Sequence, residues 1–122
     1  MVKIEDTGLR PGMFILTEAN GQRSRENAYI AQPATVQPGD FLTFSSAGTS
    51  DDPRAVYTAL AGTDVDAIAI HGGVSASGDE LEIAVLVRDA EVNGNALTWP
   101  ANLTTRKALI DKLATLGIIV RF

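Results

Sequence analysis

The chain carries a single histidine, no cysteine and 15 acidic side chains among its 122 residues, so any chemistry must be built from this short stock. His71 stands alone before Gly72-Gly73 at a predicted strand end. A metal site needs several His, Cys or carboxylate ligands, and a general base needs a nucleophile set against it. The spacing supplies neither, and His71 reads as a strand-end residue. Acid pairs occur at Asp51-Asp52, at Asp64 and Asp66, at Asp79-Glu80 with Glu82, and at Asp89 with Glu91. Paired carboxylates serve glycoside hydrolysis or calcium binding, but none of these sits in a loop of spaced oxygen ligands with a central glycine and a closing distal Glu. They read as solvating turns and strand ends. Gly73-Val74-Ser75-Ala76-Ser77 begins like a nucleophile elbow, yet its fifth residue is Ser and no long helix follows. No glycine set has phosphate-loop spacing, and Asn102-Leu103-Thr104 matters as a glycosylation sequon only on a secretory route. The inventory predicts no enzyme, no metal site and no cofactor.

Two groups point to contacts instead. Arg23-Ser24-Arg25, followed by Glu26, is the densest basic spot outside the predicted helix, and reads either as a solvated turn or as a docking contact to an acidic surface. Trp99-Pro100 contains the one tryptophan, a residue type that anchors a core or an interface.

These residues have to be held by short elements. Eleven glycines and five prolines are spread along the whole chain, which implies many turns. Met13 to Thr17 is an apolar run between Arg10-Pro11-Gly12 and Asn20-Gly21, and reads as a strand. Further strands are expected at Ala28 to Ala31, Phe41 to Phe44, Ala55 to Leu60, Ala67 to His71 and Leu81 to Arg88, the last being the longest and the central one. Residues 45–53, small, polar and rich in breakers, are expected as a surface loop. Asn93-Gly94 tolerates positive φ at both turn positions, so residues 90–99 are expected to close as a small hairpin. One helix is convincing, Leu103 to Leu116, with Asn102 or Thr104 as its N-cap, Gly117 as its left-handed C-terminal residue, and Ile118-Ile119-Val120 as a final strand.

Composition narrows the class. With 45% hydrophobic and 20% charged residues the chain is an ordinary folding sequence of one domain's length. A net charge of −5 argues against binding a phosphate backbone, which is driven by clustered Lys and Arg. No run approaches the roughly 18 apolar residues that cross a bilayer, and the start MVKIEDTGLRPG lacks the apolar core of a secretory signal. Neither nucleic acid nor membrane is an expected partner, and synthesis in a cytoplasm is expected.

An ordered set of segments carries a resemblance: Ser24-Arg25-Glu26, the turn Gln37-Pro38-Gly39-Asp40-Phe41-Leu42, Ala67-Ile68-Ala69-Ile70, Val87 through Asn93, Leu97-Thr98-Trp99-Pro100, and the last helix with Gly-Ile-Ile-Val. From about residue 23 to the C-terminus the chain resembles the lambda-type bacteriophage head decoration proteins, with the closing block the most specific part. It departs from them in an insertion-like loop at 45–53. The resemblance implies a mainly β single domain with one C-terminal helix, a β-clip-like bent ribbon or small incomplete barrel. It also implies a capsid-stabilising homotrimer on the outer surface of the virion, made in the host cytoplasm, bound to the major capsid protein at three-fold and quasi-three-fold positions of the expanded head. On this reading residues 1–22 are a capsid-docking arm that adds a strand to the capsid protein, and 23–122 are the decoration domain. Met13, Phe14, Ile15, Leu16, Thr17, Arg23, Arg25 and Glu26 are the expected capsid contacts, and Trp99 and Pro100 the trimer or core packing. The alternative is a small β-domain binding module for carbohydrate or a host surface, using Tyr29, Tyr57 and Trp99 as stacking platforms. An enzyme with an intersubunit site built from Asp64, Asp66 and His71 ranks last.

Overall fold

The computed structural model describes residues 12–21, 23–31, 34–48, 50–75 and 81–122. Five strands close into a small barrel in the order β2-β5-β4-β6-β8: β2 (Arg25–Ile30), β4 (Phe41–Ser46), β5 (Val56–Ala59), β6 (Ala67–Ala69) and β8 (Leu81–Leu86). The seam is the antiparallel pairing of β2 with β8, from Arg25 opposite Leu86 to Ile30 opposite Leu81. The body is mainly β with one C-terminal helix, as the residues predicted, and the barrel expected to be incomplete is closed.

The alternation along these strands explains the rest of the architecture. On β6 and its continuation, Ala67 and Ala69 join the core inside the barrel, while Ile68 and Ile70 join a second core on the barrel's outer wall. On β8, Ile83 and Val85 point inward with Val87 beyond them, and Leu86 points outward. A five-stranded barrel has little room, and small residues such as Ala28, Ala67 and Ala69 let Ile30, Leu42 and Tyr57 share it. The outer wall would be an exposed apolar patch if nothing covered it. A three-stranded sheet and the helix do so.

That sheet has the order β1-β9-β10, from β1 (Ile15–Glu18), β9 (Ala90–Asn93) and β10 (Ile118–Arg121), with β9 antiparallel to β1 and parallel to β10. A parallel neighbour needs a crossover, and α1 (Leu103–Thr115) provides it, burying Leu109 and Leu113 against the second core. Asn102 caps α1 by accepting from the Thr105 amide at 3.1 Å. Gly117, at φ +82, ends it where the backbone turns left-handed; a Cβ there would lie 2.8 Å from the Asp89 carboxylate. Lys112 Nζ donates to the Val65 carbonyl at 3.0 Å and to Asp66 at 3.1 Å, which fixes the helix to the loop before β6. A separate two-stranded ribbon pairs β3 (Ala34–Val36) with β7 (Gly73–Ser75).

Several sequence expectations need correction. Residues 90–99 do not form a hairpin. Asn93 instead ends β9 and caps a single 3-10 turn, Gly94–Ala96, by accepting from the Asn95 amide at 2.9 Å, and the chain proceeds towards α1. Strand β2 begins at Arg25, three residues before the predicted start at Ala28, because the charged side chains of Arg25 and Glu26 find ion-pair partners outside the barrel. The pairing of β3 with β7 was not anticipated, and Gly73–Ser75, considered above as part of a nucleophile elbow, is a strand.

Candidate functional site

The expected docking run divides by burial. Gly12 donates to the Ile70 carbonyl at 3.1 Å and accepts from the Ile15 amide at 3.0 Å, closing a tight turn that drives Phe14 into the second core. Phe14 is 0% exposed, so its ring serves packing and is not offered to a partner, whereas Met13 is 56% and Leu16 52% exposed. The register slips between Ile15 and Thr17, a bulge that turns Leu16 outward while Ile15 stays half-buried against the core and Thr17 lies opposite Glu91. Gly12 to Glu18, part of the segment expected as an arm, therefore packs into the body; residues 1–11 lie outside the described residues. Among the described residues β1 pairs on one edge only, with β9.

Next to it lies a polar knot. Ser24 is fully buried; its hydroxyl donates to the Asp89 carbonyl at 2.8 Å and accepts from the Ala19 amide at 3.1 Å, while its carbonyl accepts from Val87 at 2.9 Å. One serine thus joins the end of β1, the start of β2 and the link from β8 to β9, where Asp89 adopts φ +54. Arg25 makes a two-point ion pair with Glu18, at 2.8 and 2.7 Å, tying β2 to β1. The Arg25 hydrogen bonds hold the Glu18 carboxyl below the usual carboxylate range, and the carboxylate in turn raises Arg25. Glu26 pairs with Arg88, whose guanidinium also donates to the Arg23 carbonyl. Arg23 makes only a loose 3.6 Å approach to Asp89 and keeps a side chain 68% exposed. In the sequence these residues read as one basic spot. Three of the four positions from 23 to 26 hold the fold together, and Arg23 alone reaches outward.

Trp99 sits at the edge of the second core. Its ring meets Phe41 edge-on at 5.0 Å, stacks on Phe122 at 6.1 Å, and lies 5.9 Å from the Arg106 guanidinium, while its Nε1–H donates to the Gly94 carbonyl at 2.6 Å. Pro100 accepts from Arg106 Nε at 3.1 Å. Trp99 and Pro100 also line an open apolar groove of about 760 Å³, together with Val36, Phe41, Leu42 and Leu60. The part played by Phe122 was missed in the sequence, where a terminal Phe carries no periodic signal.

The other candidates are not brought together. Tyr57 lies inside the barrel, where burial raises its hydroxyl's pKa, so the three aromatics proposed as stacking platforms do not form one. Tyr29 instead donates to Asp52 at 2.7 Å beneath the Arg54 guanidinium; these two partners, Tyr29 first, lower the Asp52 carboxyl. Arg54 also pairs with Glu82, so the cluster binds the 47–55 loop to the barrel. Asp66 is held by Lys112 and the Phe44 amide, and His71 is exposed after β6. Among the described residues no three His, Asp or Glu side chains are grouped to hold a metal ion; Asp79 and Glu80 lie outside them.

Searches of curated proteins and of solved structures return no match. The family model described as bacteriophage lambda head decoration protein D matches residues 5–118, a span that takes in the barrel, strands β1 and β9 of the covering sheet, the Ser24 knot, Trp99 and the helix. By that match across nearly the whole fold, the chain belongs to the lambda head decoration protein family, structural proteins of the phage head.

Proposed function

We propose that the protein binds the outer surface of an expanded phage head as a trimer at three-fold and quasi-three-fold positions, contacting the major capsid protein and cementing neighbouring capsomers against internal DNA pressure. The observation that carries this reading is the family match over residues 5–118. The geometry is compatible with it. An edge strand with unpaired backbone groups is a template for strand addition, and β1 presents such an edge among the described residues beside the outward side chains of Met13 and Leu16. In this reading the 1–22 segment and the exposed guanidinium of Arg23 meet the capsid, and Arg25, Glu26 and Phe14 set the position of that surface from behind. The groove beside Trp99 and Pro100 packs against a neighbouring copy. A trimer multiplies a weak single contact, because once one subunit is bound the other two search only a small volume.

Co-sedimentation tests the reading. The full chain is expected to pellet with expanded shells of its phage and not with unexpanded ones, and a chain lacking residues 1–11, which keeps Phe14 and β1 in the body, is expected to bind more weakly. Equal binding to both shells, or undiminished binding of the truncated chain, contradicts the corresponding part.

A further inference from the structure

The chain has two Asn-Gly pairs, Asn20-Gly21 and Asn93-Gly94, and the fold gives them opposite surroundings. Asparagine before glycine is chemically labile, since no side chain hinders the glycine nitrogen from reaching the asparagine side-chain carbon. Whether it reacts depends on how freely the two residues move. Asn20 is exposed between β1 and β2, and among the described residues nothing hydrogen-bonds its side chain. Gly21 has φ +70, and a Cβ built on it would meet nothing within 4 Å. Asn93 is held on every side. Its amide donates to the Phe14 carbonyl at 2.7 Å, its side-chain oxygen accepts from the Asn95 amide at 2.9 Å, and β9 is paired along both edges. Gly94 is buried beneath the Phe122 ring, and its carbonyl takes the Trp99 indole hydrogen bond at 2.6 Å.

We propose that Asn20 is a site of spontaneous deamidation in the folded protein and that Asn93 is protected from it. The Gly21 nitrogen attacks Asn20 Cγ, forming the ring N–C bond. The Cγ–N bond of the side-chain amide breaks, and ammonia leaves with the proton given up by Gly21. Water then opens the cyclic imide at either carbonyl, leaving aspartate or isoaspartate. The net change is amide plus water to carboxylate plus ammonium, the proton of the new carboxyl ending on the released ammonia, so the site gains one negative charge. The isoaspartyl product also adds a backbone atom to a turn closed by the 3.1 Å bond from the Ala19 amide to Ser24 Oγ. The modification thus places a charge and a kink in the link between β1 and the barrel.

Incubation of the full chain in mildly alkaline buffer, natively and in concentrated guanidinium, with tryptic mapping over time, tests this. Trypsin places Asn20 in the 4–23 peptide and Asn93 in the 89–106 peptide. In native buffer the 4–23 peptide should gain one mass unit, as two separable isomers, about tenfold or more faster than the 89–106 peptide, because Asn93 reacts only after its region opens. In guanidinium the two rates should converge. Asn20→Gln should abolish the native conversion of the 4–23 peptide. Native conversion at Asn93 that keeps pace with Asn20, an unchanged Asn20 in native buffer, or persistence of the signal in Asn20→Gln would overturn the proposal.

Discussion

Phe14 and Leu16 are two residues apart in one apolar run, and the fold gives them different work. Phe14→Ala removes a ring that is 0% exposed in the second core. Deleting a fully buried aromatic costs about 3–5 kcal/mol, transfer and cavity together. Against a domain stability of about 5–15 kcal/mol that is a large fraction, and at about 3–5 °C per kcal/mol for a chain of this size the melting midpoint should fall by about 10–20 °C. Leu16→Ala truncates a side chain 52% exposed at the bulge, where substitutions stay within about 0.5 kcal/mol. Urea titration followed by the fluorescence of Trp99, itself at the edge of that core, reads both effects, and co-sedimentation with expanded shells reads the other half of the argument. Phe14→Ala should be strongly destabilised. Leu16→Ala should fold normally and bind shells more weakly. Phe14→Leu, which keeps most of the volume, should lose less than about 1.5 kcal/mol and bind normally. A loss below about 1 kcal/mol for Phe14→Ala, or one for Leu16→Ala that equals it, would refute the division of this strand into core and contact faces.

Other perturbations have signs fixed by the geometry. Because Arg25 lowers the folded-state pKa of Glu18, their pair stabilises above the ordinary carboxylate range and is lost as pH falls through the lowered value. Glu18→Gln should therefore cost up to about 1 kcal/mol at neutral pH and nothing in strong acid by urea midpoint, and a pH-independent cost would contradict the pairing. Gly117→Ala should cost clearly more than Gly21→Ala. Both place a Cβ at positive φ, worth about 1–2 kcal/mol, but only the first drives it to 2.8 Å from Asp89; equal thermal shifts would count against this geometry. Trp99→Phe should lose about 1 kcal/mol with its indole hydrogen bond to Gly94, and a stability unchanged in calorimetry would remove that bond from the account.

Where local chemistry decides the conformation, the residues could be read directly. Asn102 and Gly117 bracket the helix by capping and by left-handed φ, and β4, β5, β6 and β8 stand where β-branched and aromatic runs lie between turn residues. What could not be read depends on partners distant in sequence. Arg25 and Glu26 look like loop residues until Glu18 and Arg88 are seen beside them, so the start of β2 was hidden. Ser24 is small and polar, and its role as a buried knot follows only when Ala19 and Asp89 converge on it. Asn93-Gly94 has the composition of a hairpin turn, yet β9 already has neighbours on both edges and leaves no place for a returning strand. The ribbon of β3 and β7 is three residues long on each side, too short to show a period. The bulge at Leu16 breaks the alternation that would have assigned the faces of β1.

Cryo-electron microscopy of empty expanded capsids of its phage, with and without added protein, tests the proposed cementing role most directly. New knobs of density are expected at the three-fold and quasi-three-fold positions of the outer surface, each formed of three copies of this fold with the β1 side against the capsid. Shells that stay bare at saturating protein, or density at other positions, would contradict it.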